Sequence, residues 1–327
     1  MHRVQFLDAV EFASKAIGRS MAYPILDCIH IEAKDGKGTA TGSNLEFFAS
    51  HKFDCDVELS LCVSGKRLLR VLAASVGDSI TLQQDGLKLT LDDGASKCTF
   101  DLLDPKDFPV MYDSDGDDFP IPSKAIQQVI PAVCTVDTPD NAALLGVLLD
   151  HEGYAVAFDR RRVHTAKIAP TGKDAIIPTS LANILAGLDG MMRCGDKFMV
   201  AHGEKWKISG KIIERKYGNW RSLHGFKPEQ EIPIPPDLCD NIRRAMDCSS
   251  NQMTPGVLFQ WGKIEVPDYS VECDLDTGFA FKIDPNYFQQ AIKSAGEGAT
   301  LGFTNALSMF IIKHGEFMAG LMPMRTE

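Results

Sequence analysis

The stretch Ile177-Pro178-Thr179-Ser180-Leu181-Ala182-Asn183-Ile184-Leu185-Ala186-Gly187-Leu188 changes its hydrophobic period in the middle. A strand-like Ile177 runs into proline, a hydroxyl residue follows, and Leu181, Ile184, Leu185 and Leu188 then fall at i, i+3, i+4 and i+7. That spacing puts an apolar stripe on one face of a helix. A hydroxyl or carboxylate just ahead of it can accept from the free N–H groups of the first turn, and proline is tolerated there. The junction recurs at Ile121-Pro122-Ser123, at Ile234-Pro235-Pro236 and, with a capping carboxylate, at Asp284-Pro285. Helix starts near Val4, Ser64, Ser123, Thr179, Pro235 and Asp284 are separated by 60, 59, 56, 56 and 49 residues. Near-even spacing means copies of one unit.

Within the other copies, Phe6, Val10, Ala13 and Ile17, and Leu238, Ile242, Ala245 and Met246, form similar stripes. Between helices the period falls to two, as in Leu87, Leu89 and Leu91 alternating with Lys88 and Thr90. Hairpin turns are expected at Asp35-Gly36, Asp85-Gly86, Asp93-Gly94, Glu152-Gly153 and Gly203-Glu204. The unit is therefore one helix followed by an antiparallel meander, and the fold class is α+β.

The chain has 327 residues, enough for two or three domains. Two units per domain give three, with 1–117, 118–228 and 229–327 as their expected bounds. The joints are the aspartate-rich stretch Asp101 to Asp118 and the polar stretch Gly225 to Glu231. No apolar run approaches the roughly 20 residues that span a bilayer, and no secretory leader opens the chain. The nine cysteines lack a Cys-x-x-Cys pair and read as buried free thiols of a reducing cytoplasm.

No catalytic constellation stands out, so an enzyme has no supporting motif and no cofactor is expected. The eight histidines lack metal-ligand spacing. Gly36, Gly38 and Gly42 lie in a hairpin, not between strand and helix, and fail the context of a phosphate loop. Asp113, Asp115, Asp117 and Asp118 lack the glycine and glutamate of a calcium loop and read as a solvated joint. The net charge is −10, which by itself argues against nucleic acid. Its distribution differs: Lys15, Arg19, Lys66, Arg67, Arg70, Lys124, Arg243, Arg244 and Lys293 fall on the expected helices, while the acids crowd the joints and strands. Solvated helix faces and a basic surface for phosphates both fit that pattern.

The tail Met322-Pro323-Met324-Arg325 resembles the end of the bacterial DNA polymerase III β subunit, the sliding clamp. Collinear matches precede it: Pro24-Ile25-Leu26, Thr41-Gly42-Ser43-Asn44-Leu45-Glu46, Asp107-Phe108-Pro109, Gly146-Val147-Leu148-Leu149, Ala157-Phe158-Asp159-Arg160-Arg161-Arg162-Val163 and Tyr217-Gly218-Asn219-Trp220-Arg221. The resemblance covers the whole chain at low identity. It implies the DNA clamp fold, a head-to-tail homodimer whose two subunits close a six-domain ring, with helices lining the hole around duplex DNA of any sequence. It further implies a processivity factor in the cytoplasm at the nucleoid, placed on DNA by a clamp loader. Lys66 to Ser75 of one subunit would face Asp247 to Gln252 of the other.

A second implied site is a pocket where DNA polymerase and other proteins dock short apolar peptides. Its matching positions are Leu144, Phe158, Arg162, Val163, Gly218, Leu223, Met322, Pro323, Met324 and Arg325. Core packing is the plain alternative for Leu144, Val163 and Leu223. Phe158 stands where the family has threonine, Arg160 where it has glycine, and Gly218 where it has proline. Thr138-Pro139-Asp140-Asn141-Ala142-Ala143 lacks the arginine or tyrosine of the family's DNA-contacting loop. These departures and the negative net charge keep a second reading open: a clamp-like interaction module, decoy or adaptor, that binds such peptides without encircling DNA.

Overall fold

The computed structural model describes residues 1–18, 22–250 and 256–325. Six of its helices follow the expected rhythm. Helix α1 (Arg3–Ser14) precedes β1 (Cys28–Lys34), β2 (Lys37–Ser43), β3 (Phe47–Asp54) and β4 (Leu59–Ser64). Helix α2 (Gly65–Ala74) precedes β5 (Thr81–Asp85), β6 (Lys88–Asp92), β7 (Lys97–Leu103) and β8 (Phe119–Pro120). Helix α3 (Ser123–Val129) precedes β9 (Gly146–Asp150), β10 (Tyr154–Phe158), β11 (Arg162–Lys167) and β12 (Ala175–Pro178). Helix α4 (Thr179–Leu185) precedes β13 (Met191–Cys194), β14 (Phe198–His202) and β15 (Trp206–Lys211). A short helix, α5 (Arg221–His224), and β16 (Gln230–Pro233) complete that copy. Helix α6 (Leu238–Cys248) precedes β17 (Val257–Gln260), β18 (Lys263–Val266), β19 (Tyr269–Glu272) and β20 (Phe281–Ile283). Helix α7 (Pro285–Ala295) precedes β21 (Thr300–Phe303), β22 (Phe310–His314) and β23 (Phe317–Leu321).

The largest offset from the expected starts is at Pro235. The proline pair there forms a lead-in turn, with the Leu238 N–H donating to the Pro235 carbonyl at 3.1 Å, before the helix proper begins. At α7 the Asp284 carboxylate caps the first turn, accepting from the N–H of Asn286 at 2.9 Å and of Tyr287 at 3.1 Å. The Asp35-Gly36 hairpin has both turn residues left-handed, at φ 53° and 80°, as its tight two-residue turn requires.

By internal contacts the chain forms two compact units, one of Met1–Ile121 with Asp189–Ile212 and one of Pro122–Leu188 with Ile213–Glu327. The first holds an 11-stranded sheet in the order β5-β6-β7-β4-β1-β2-β3-β15-β14-β13-β8. Helices α1 and α2 bury Phe6, Val10, Ala13, Leu68 and Leu72 in its core, against Ile29, Ile31, Leu61 and Phe100. A β-carbon on Gly42 of β2 would lie 2.1 Å from the Ala13 carbonyl oxygen, so glycine there lets the strand backbone touch α1. The second unit holds an 8-stranded sheet, β12-β9-β10-β11-β23-β22-β21-β16, and a 4-stranded sheet, β19-β18-β17-β20.

Two expectations need correcting. The stretch from Asp101 to Asp118 is less of a linker than its composition suggests. Its first three residues finish β7, and Tyr112 donates to the Leu45 carbonyl at 2.5 Å while stacking on Phe198 at 4.4 Å. Its acids are partly paired, with Arg193 meeting Asp113 at 3.0 Å and Asp118 at 3.4 Å. An aromatic among aspartates anchors a segment that composition alone marks as solvated. The cysteines are not uniformly buried either, since Cys248 is exposed at the end of α6.

Candidate peptide groove and basic helix faces

The middle of the second unit brings distant segments together. Strand β11 pairs with β10 on one side and with β23 on the other, with Arg162 opposite Leu321 and Val163 opposite Gly320. The tail then runs past the β10–β11 tip. The Met322 N–H donates to the Arg161 carbonyl at 2.9 Å and the Met324 N–H to the Lys282 carbonyl at 2.7 Å. Met322 is 48% exposed, and Arg325 is exposed beyond it.

Beside this junction Val163 is fully buried among Leu148, Val156, Ile176 and Trp220, with Phe158, Tyr217 and Leu223 packed at the margin. A second cluster holds Met309, Ile311 and Met318, and Leu223 packs against that one too. Leu223 therefore lies where two apolar clusters meet. The ring of Phe158 covers Gly218, where a β-carbon would stand 3.5 Å from it. The aromatic that replaces threonine thus faces the glycine that replaces proline. Leu144 is buried at the end of the 3-10 segment Pro139–Leu145.

Helix α5, too short to show a period, holds Leu223 in place. One guanidinium nitrogen of Arg221 reaches both oxygens of the fully buried Asp150 carboxylate, at 2.9 and 2.8 Å, and Glu152 at 2.9 Å. Asp150, His151 and Asp174 bring ligand atoms within 4.8 Å of one another, but Arg221 neutralises Asp150 and the His151 ring contacts Asp174 at 2.7 Å. That contact raises the His151 pKa. Burial raises the Tyr217 hydroxyl pKa and lowers that of His224.

Arg162 departs from its expected place. Its side chain is 6% exposed and its charge is spent inside the unit. It pairs with Asp159 at 2.9 Å, donates to Gln290 and to the Pro131 carbonyl, and lies over the Tyr287 ring at 3.8 Å. It fixes the tip to α7 and does not line the groove as a free cation. At the tip, the Asp159 carboxylate accepts from the N–H groups of Arg161 and Arg162, each at 3.0 Å. Arg160 takes a left-handed conformation with φ 73°, a conformation glycine adopts freely. Its guanidinium donates to the Asp140 carbonyl at 2.9 Å. The 138–143 loop has no arginine of its own, and the fold brings one onto it.

The basic residues expected on the helices are exposed where described: Lys15, Lys66, Arg67 and Arg70 in the first unit, and Lys124, Arg243, Arg244 and Lys293 in the second. Arg243 pairs with Asp240 at 2.7 Å. Among the described residues the other seven form no ion pair. Arg67 lies over Phe100 at 5.0 Å and Lys15 over Phe12 at 4.9 Å. Arg19, and the end of the Asp247 to Gln252 segment, fall outside the described residues.

Over its full length the chain has the fold of a sliding clamp. The DNA polymerase III beta subunit of Thermotoga maritima matches it with a TM-score of 0.87 at 16% identity, covering 100% of this chain and 99% of that one. The Helicobacter pylori beta clamp bound to a DNA ligase peptide matches with a TM-score of 0.84 at 17% identity, covering 99% of each chain. In sequence, residues 1–112 match the DNA polymerase III beta subunit N-terminal domain family. The beta sliding clamp of Buchnera aphidicola is 26% identical over 232 residues, 64% of this chain. That alignment spans 63% of the Buchnera protein, just under two thirds of its length. Residues 1–112 thus resemble the N-terminal domain of the DNA polymerase III beta subunit, and the whole chain shares the fold of the solved beta clamps.

Proposed function

We propose that this chain is a processivity factor without catalytic activity of its own, a homodimeric ring that encircles duplex DNA and tethers a DNA polymerase through the groove beside Leu223 and the tail. The three segments 1–117, 118–228 and 229–327 are its repeated domains. The observation that carries the reading is the distribution of unpaired charge. Four of the six repeat helices, and the C-cap Lys15 of a fifth, offer an exposed basic side chain, in a chain of net charge −10. Phosphates met by such side chains bind without sequence readout, which leaves a ring free to slide. A loader is needed because a closed ring cannot thread circular DNA unaided. The peptide carried by the Helicobacter pylori relative supports a docking role for the groove.

Light scattering tests the assembly. A mass of about 72 kDa, twice the 35.9 kDa of one chain, is expected at micromolar concentration. Removing residues 322–327 is expected to abolish polymerase binding and keep that mass. A monomer at all concentrations, or polymerase binding that survives the truncation, contradicts the proposal. The net charge favours one other reading, an interaction module that binds the same peptides without encircling DNA.

A further inference from the structure

The tip Asp159-Arg160-Arg161, between β10 and β11, presents two exposed arginines without a carboxylate to match them. Asp159 is consumed locally by the N–H groups of Arg161 and Arg162 and by the Arg162 side chain. Arg160 donates to a neutral partner, the Asp140 carbonyl. Arg161 is exposed, and its backbone is held at both ends, by Asp159 and by the Met322 N–H. Among the described residues neither arginine forms an ion pair. The tip is also strained, with Arg160 at φ 73°, where glycine would relieve the backbone. Backbone strain of this kind is enriched at functional sites.

The tip adjoins, along the chain, an apolar cluster whose partly exposed margin includes Phe158 and Leu223. Phe158 and Val163 flank the tip in β10 and β11, and Leu223 closes the same cluster. A guanidinium at the edge of an apolar groove recognises a carboxylate in a planar, two-pronged geometry, and exclusion of water by the bound chain strengthens the contact. We propose that the groove selects peptides that carry an acidic side chain next to their apolar anchor, and that Arg160 and Arg161 read that acid. The inference rests on the peptide-groove reading above and names the class of peptide it takes.

Fluorescence anisotropy with short labelled peptides tests it. Three peptides share a Leu-Leu-Phe core and are flanked by aspartates, asparagines or lysines. The aspartate peptide is expected to bind about tenfold tighter than the asparagine peptide at low salt. The advantage should shrink as salt rises. The double variant Arg160→Ala, Arg161→Ala is expected to erase the difference and leave the asparagine peptide's affinity unchanged, and Leu223→Asp to remove binding of all three. Equal binding of the aspartate and asparagine peptides, or a preference that survives the double variant, overturns this inference alone. If the wild-type chain binds none of them, the groove reading fails with it. If the double variant weakens duplex DNA binding and leaves the peptides untouched, the two arginines read phosphate instead.

Discussion

His164 occupies β11 with no exposed surface. One ring nitrogen lies 3.2 Å from the Gln128 carbonyl, the other is buried without a partner among the described residues, and Phe317 meets the ring edge-on at 5.4 Å. Burial drives its pKa from 6.5 down to about 3, and the nearby Arg162 charge pushes the same way. The folded chain therefore keeps this ring neutral through a range where the unfolded chain takes up a proton. The unfolded state binds more protons below pH 6.5, so stability falls as the pH drops from there towards 3. Urea unfolding should show the wild type losing about 2 kcal/mol more than His164→Gln between pH 6.5 and 5. Parallel losses would show that His164 does not set the slope. Nothing in the run Arg162-Val163-His164-Thr165 marks one histidine among eight as the buried one. The role of Arg162 was hidden for a related reason: its partners Pro131 and Gln290 lie 31 and 128 residues away in sequence. Val163 and the methionine tail could be singled out because both belong to contiguous motif residues.

At the scale of elements, Gly42 shows what a short motif encodes. The run Thr41-Gly42-Ser43-Asn44-Leu45-Glu46 joins β2 to β3, with the Asn44 side chain accepting from the N–H of Glu46 at 3.0 Å and of Phe47 at 2.9 Å. Leu45 sits at φ 69°. The glycine admits the α1 backbone, so Gly42→Ala must separate helix from strand. A loss of about 1–3 kcal/mol is expected from such overpacking, read as a lower urea midpoint at unchanged slope; an unchanged midpoint would mean that the helix shifts freely. The repeat helices were legible because their stripes recur every 3.6 residues, and the glycine hairpins because their turn chemistry is local. Helix α5 was not, since four residues hold barely one turn. The Trp261-Gly262 turn was also missed, because tryptophan at φ 52° is a poor turn former by composition. Nor were the pairings of β3 with β15 and of β11 with β23. Antiparallel neighbours so far apart along the chain leave no trace in periodicity, and for that reason the candidate groove beside β11 and β23 was reachable only through resemblance.

For the whole molecule, charge is the deciding property. A net charge of −10 opposes DNA except where exposed basic side chains stand unpaired. On the described helices those side chains are exposed, and their attraction to phosphate weakens steeply with salt. A ring held by topology would stay on closed DNA at salt concentrations that strip a protein held by charge alone. The most direct measurement is therefore retention on nicked circular DNA after loader-assisted loading in high salt, before and after the circle is cut once. An encircling clamp remains on the circle and is released when the DNA becomes linear. Equal retention on both forms, or loss from both, would contradict encirclement.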